Sequence, residues 1–72
     1  MNQQRKSTTT FDYVAIVRET GAAYLIDVII PHDKDDDERR EIWFPKSQVE
    51  IFPKSRIVSV PNWLVDQNNM RD

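Results

Sequence analysis

EIWFPKSQVEIFPKSRIVSV, residues 41–60, decides the fold. These twenty residues hold one Trp and two Phe, and they repeat a tetrapeptide, Phe-Pro-Lys-Ser, at 44–47 and again at 52–55. In each copy an apolar run ends at Phe. The Pro then stops a strand ladder and presets a turn dihedral, Lys points to water, and Ser hydrogen-bonds nearby backbone. The next apolar run begins at Val49 in one copy and at Ile57 in the other. Repeated strand-and-turn units of eight residues read as corners that wrap a short sheet around its core. REIWFP, QVEIF and RIVSV are therefore expected as three brief strands, with Val49 and Ile51 on one face and Val58 and Val60 likewise.

Upstream lies the strongest strand of the chain, AAYLIDVII at 22–30, whose even positions Ala22, Tyr24, Ile26, Val28 and Ile30 form an unbroken apolar face. Pro31 ends it. FDYVAIVR, residues 11–18, is β-branched and aromatic and reads as a strand. ETGA between these two runs contains the single Gly of the chain, so a tight hairpin with positive φ at Gly21 is expected there. Residues 1–10 lack a large apolar side chain after Met1 and read as a disordered tail. Downstream, PNWLVDQNNM reads as one or two helical turns with Asn62 as N-cap, and residues 67–72 are expected to fray. The expected fold is mainly β: a small five-stranded bent antiparallel sheet or SH3-like barrel over residues 11–66, closed by a short C-terminal helical turn.

Seventy-two residues make one small domain. Such a chain buries only about 60% of the surface its unfolded form exposes. The absence of Cys excludes disulfides and the usual Cys-based zinc sites, and it fits a cytoplasmic protein. No secretory leader is recognisable in MNQQRKSTTT, and the longest apolar runs are too short to cross a bilayer, so a soluble chain is expected. The net charge of −2 implies little about partners, but its distribution is uneven. Residues 33–41 carry six acids against three bases; residues 42–65 carry Lys46, Lys54 and Arg56 against Glu50. PHDKDDDERR is thus an exposed acidic loop, with charge too dense to pack.

Chemistry-bearing patterns are scarce. His32, the single His, follows Pro31 at the mouth of the loop and reads as water-exposed; a triad with Ser47 or Ser55 lacks the third group that would orient the imidazole. Asp33, Asp35 and Asp37 alternate, yet an EF-hand loop beginning at Asp33 needs Gly sixth and Glu twelfth, where Glu38 and Phe44 stand. A Gly-rich phosphate loop needs more than one Gly. No catalytic residue, metal site or cofactor is expected, and neither is a small-molecule substrate.

EIWFPKSQVEI followed by VSVPNWLV resembles a group of small phage and prophage proteins that carry a W-x-P-K-S-Q-[VI] corner and a V-P-x-W-L ending. The matching residues are Trp43, Pro45, Lys46, Ser47, Gln48 and Val49, then Val60, Pro61, Trp63 and Leu64. The resemblance covers roughly residues 13–65. The acidic loop is longer than the tight connection of that group, and the second Phe-Pro-Lys-Ser copy is additional. What the resemblance implies is a non-catalytic accessory protein of the bacterial cytoplasm, often encoded among genes of nucleic-acid metabolism.

The aromatic residues carry the remaining functional expectation. Trp63 is expected to plug the open end of the barrel. Trp43 and Phe44 are adjacent on a strand and face opposite ways, so one of them is left outside the core. That leaves three readings. In the first, Trp43, Phe44, Phe52 and Trp63 with Lys46, Lys54 and Arg56 offer candidate contacts to a protein partner or a second copy. In the second, Trp43, Phe44 and Phe52 stack the bases of a single-stranded nucleic acid while Lys46, Lys54 and Arg56 track its backbone. In the third, Asp33, Asp35, Asp36, Asp37 and Glu38 compete for a basic groove on a host nuclease or defence complex.

Overall fold

A computed structural model describes residues 7–71. They form β1 (Thr8–Glu19), β2 (Ala23–Ile30), β3 (Glu38–Pro45), β4 (Glu50–Phe52), β5 (Ile57–Pro61) and α1 (Asn62–Gln67). The strands make one antiparallel sheet in the order β3-β2-β1-β5-β4. β1 is the hinge of this arrangement. Its first residues, Thr8–Asp12, pair with β5, and from Tyr13 onward it pairs with β2. Register shifts between Tyr13 and Ala15 and between Ile16 and Arg18 fall in that second half. Each such bulge bends and twists the strand more sharply.

Chain connectivity demands the bend. Residues 46–49 join β3, at one edge, to β4, at the other. Five extended steps from Pro45 to Glu50 reach at most about 17–18 Å. Four strand intervals of a flat sheet span about 19 Å. The sheet must therefore curl, although β3 and β4 do not pair and the sheet stays open. Of the two expected architectures, the bent sheet forms and the closed SH3-like barrel does not.

The core lies inside the curl. Phe11 and Tyr13 of β1, Ile26, Val28 and Ile30 of β2, Ile42 and Phe44 of β3, and Val58 and Val60 of β5 are all buried. Alternation along each strand puts them on one face, so the even-numbered apolar face anticipated for β2 is its core face. Val49 and Ile51 pack against the same cluster. Leu64 and Val65 of α1 cover it with Met70, which is 1% exposed.

Several local expectations are corrected. Thr8–Thr10 belong to β1 rather than to a tail, with Asn62 N–H donating to Ser7 O; residues 1–6 of that expected tail lie outside the described residues. The β1–β2 hairpin forms without positive φ at Gly21. Thr20 makes the turn instead: its Oγ1 accepts from Ala22 N and Ala23 N, and its N–H donates to Ala23 O. The N-cap of α1 is Pro61, without a side-chain bond. Asn62 Oδ1 serves β1, accepting from Thr9 Oγ1 at 2.6 Å.

In the segment expected to fray, residues 68–70 form a defined turn. Asn69, at φ 54°, is left-handed; its N–H donates to Asp66 O and Met70 N–H donates to Val65 O. This is a Schellman motif with Asn in the place Gly usually takes. It satisfies carbonyls at the end of α1 and drives Met70 back onto Val65. Pro45, finally, does not stop its ladder. It is the last residue of β3, opposite Ala23, and Lys46 N–H still donates to Ala22 O.

Candidate interaction surface

The outer face of the sheet has no covering element among the described residues. Cross-strand register places Arg18, Leu25 and Trp43 in one row, Ala15, Asp27 and Glu41 in the next, and Ile29 beside Arg39 after that. On the other half of the sheet, Asp12, Ile57 and Phe52 form a row. The halves are continuous: a shallow recess of about 210 Å³ is lined by Thr10, Asp12, Ile29 and Ile57, among others. The adjacent pair at 43–44 is thereby resolved. Phe44 is fully buried and Trp43 is 48% exposed, lying over the half-buried Leu25 row. Phe44 therefore leaves the set of surface candidates.

Trp63 overturns a second expectation. It is 54% exposed, and the interior that it was expected to plug is filled by Leu64, Val65 and Met70. A helix of six residues has room to bury one side, and Leu64 and Val65 take it. Trp63 rides on the helix that covers the inner face, whereas Trp43 and Phe52 belong to the outer face at opposite edges of the sheet. The basic residues are equally dispersed. Lys46 Nζ is 2.6 Å from Glu19 Oε2 and 5.0 Å from the centre of the Tyr24 ring, so it is held in place by its own chain. Lys54 and Arg56 sit in the β4–β5 turn, Arg56 with φ 55°. The aromatic and basic candidates do not assemble into one platform.

The acidic segment divides. Asp33, Asp35, Asp36 and Asp37 are exposed, as expected of a charged loop, whereas Glu38 opens β3 and is half-buried. His32 is not a water-exposed side chain. Its Nε2 lies 2.9 Å from Glu38 Oε1, and the other carboxylate oxygen accepts from Arg40. The hydrogen bond from His32, then that from Arg40, hold the Glu38 carboxyl below the usual carboxylate range. Arg40 continues the strap by donating to Asn68 O and Asn69 O, which ties β3 to the turn after α1. On the outer face Arg39 donates to Asp27 at 2.7 Å; that bond raises its pKa above the ordinary arginine value. Glu41 makes no ion pair among the described residues.

A feature that the strand pattern did not announce is the open edge of β3. All eight of its residues pair with β2, and its other side meets no strand among the described residues. The Lys46–Ala22 hydrogen bond sets the phase of that ladder. Hydrogen-bonded and non-hydrogen-bonded pairs alternate in an antiparallel pair. The backbone groups of Arg39, Glu41 and Trp43 therefore point away from β2, and their side chains lie on the outer face. Pro45 has no N–H to present, so it ends the edge at no cost to the inner ladder. The signal was present as Arg39-x-Glu41-x-Trp43 at period two, inside a segment that read as partly loop.

A shallow groove of about 540 Å³ is lined by Thr8, Ser47, Gln48, Val49, Glu50 and Ser59. It offers hydroxyl and amide groups, and His32 does not line it. No three His, Asp or Glu side chains among the described residues converge as a metal-binding group.

No protein-family model, curated protein or solved structure matches this chain.

Proposed function

We propose that this chain is a non-catalytic binding module that docks on protein through the outer face and open edge of β3, with Trp43 as its anchor. The observation that carries this is the exposure of Trp43, 48%, on an uncovered face beside an unpaired eight-residue edge. A half-exposed indole over Leu25 offers a large apolar contact at low entropic cost, and Trp is the residue type most enriched among interface hot spots. An open edge accepts a strand from a partner by main-chain hydrogen bonding. Single-stranded nucleic acid is the weaker ligand, because stacking platforms need bases beside the aromatics, and Lys46 is engaged while Lys54 and Arg56 lie at the β4–β5 turn. A role as a phage-type accessory protein is carried by the Trp43 corner and the Val60-Pro61-x-Trp63-Leu64 ending alone.

Site-specific photo-crosslinking tests the reading. A benzophenone amino acid at position 43 should give discrete adducts with protein, and the same probe at the exposed position 54 should give few. Adducts with nucleic acid alone, or none from position 43, would overturn it.

A further inference from the structure

The partner can be specified from the charge pattern of the edge. We infer that β3 pairs antiparallel with β3 of a second copy, about a two-fold axis through Arg40; this rests on the protein-docking reading above. A two-fold interface must be self-complementary, each residue meeting a partner that meets it in return. An axis through Arg40 sets Arg39 opposite Glu41 of the second copy, and Glu41 opposite its Arg39. Both are outward-pointing backbone positions, so each pair exchanges two main-chain hydrogen bonds, four in all. Both side chains lie on the outer face, where unlike charges directly opposed stabilise the pairing. Glu41, unpaired among the described residues, gains the partner it lacks. The Arg39 side chain is 61% exposed and keeps donors beyond the one given to Asp27.

Trp43 takes part diagonally. In this register it lies one diagonal step from Arg39 of the second copy on the same face, within reach of an arginine over an indole. On the inner face the axis brings the two Arg40 residues together, but each is already neutralised by Glu38 at 2.9 Å and donates to Asn68 O. Moving the axis by one residue to Glu41 would set Glu41 against Glu41, and that symmetric register is disfavoured. Charges on an edge strand also guard a monomer against indiscriminate pairing. Here Arg39 and Glu41 differ in sign, so the register centred on Glu41 sets like charges together while the one centred on Arg40 joins unlike charges. The product is a continuous ten-stranded sheet with the two Trp43 residues on one face.

Charge exchange tests this with the whole chain. Sedimentation equilibrium at roughly 10–500 µM should show a reversible dimer, since an edge contact alone is small and weak. Arg39→Glu and Glu41→Arg should each raise the dissociation constant about tenfold or more, because each makes both facing pairs alike in charge. Mixing the two variants should restore dimers to near wild-type affinity. One variant is then acidic at both positions and the other basic at both, so every facing pair joins unlike charges. A misfolded variant cannot produce that recovery. A wild type that stays monomeric across the range, a dimer indifferent to both substitutions, or a mixture that does not recover overturns the inference. If crosslinks from position 43 to another protein persist in a monomeric wild type, the docking reading stands and only the second copy falls. Monomers without such adducts sink both.

Discussion

Phe44-Pro45-Lys46-Ser47 and Phe52-Pro53-Lys54-Ser55 are one tetrapeptide in two surroundings. Both end a strand, and in both the Pro carbonyl accepts from the N–H three residues on, Gln48 in the first and Arg56 in the second. There the likeness stops. Phe44 is fully buried and Phe52 is 42% exposed. Lys46 is held by Glu19 and Tyr24, while Lys54 makes no ion pair among the described residues. The first copy carries the chain from one edge of the sheet to the other and enforces its curl. The second closes an ordinary hairpin between β4 and β5, with Arg56 taking the left-handed position. Local chemistry makes both turns; strand phase decides which Phe goes inside. Phe44 shares parity with Ile42 and faces the core, whereas Phe52 lies opposite Ile57 on the outer row.

The sharpest way to break this comparison is to truncate each Phe. Phe44→Ala should cost about 3–5 kcal/mol in urea unfolding. A domain of this size is stable by about 4–11 kcal/mol in total, so the variant is expected to be partly or wholly unfolded. Phe52→Ala should stay within about 0.5 kcal/mol of wild type. Equal losses would mean that the two corners are not used differently.

Arg56→Gly sharpens the second corner. A side chain in the left-handed region costs about 1–2 kcal/mol, and glycine returns part of that through its flexible unfolded state. The variant should gain up to about 1 kcal/mol by the same measurement. A loss would show that the Arg56 side chain, rather than the backbone, sets the turn.

Lys46→Ala should cost about 0.5–1 kcal/mol through its ion pair and ring contact, both partly exposed. Lys54→Ala should cost nothing measurable. A further effect lies at the strap, which unlike either corner depends on pH. The Glu38 carboxyl is held low by His32 and Arg40, so its contribution is present above the unfolded carboxylate range and lost as pH falls through the lowered folded value. The acid limb of a stability profile should flatten in Glu38→Gln; an unchanged limb would mean that the strap contributes nothing.

The chain by itself determined the strands, their order along the sequence and the β1–β2 hairpin, because alternation of apolar residues and turn residues such as Pro45 and Pro53 act over a few positions; that the hairpin turn rests on Thr20 and not on a positive φ at Gly21 was decided by the structure. It determined as well that one of Trp43 and Phe44 stays outside. Other features were decided in three dimensions. Among them are the splitting of β1 between two partners, the Schellman turn that seats Met70, and the exposure of Trp63 in favour of Leu64 and Val65. So was the open edge along which Arg39, Glu41 and Trp43 share the outer face. The reason is physical: a two-residue period says which side chains share a face, but which face is covered, and which edge lacks a neighbour, depends on contacts between residues far apart in the chain.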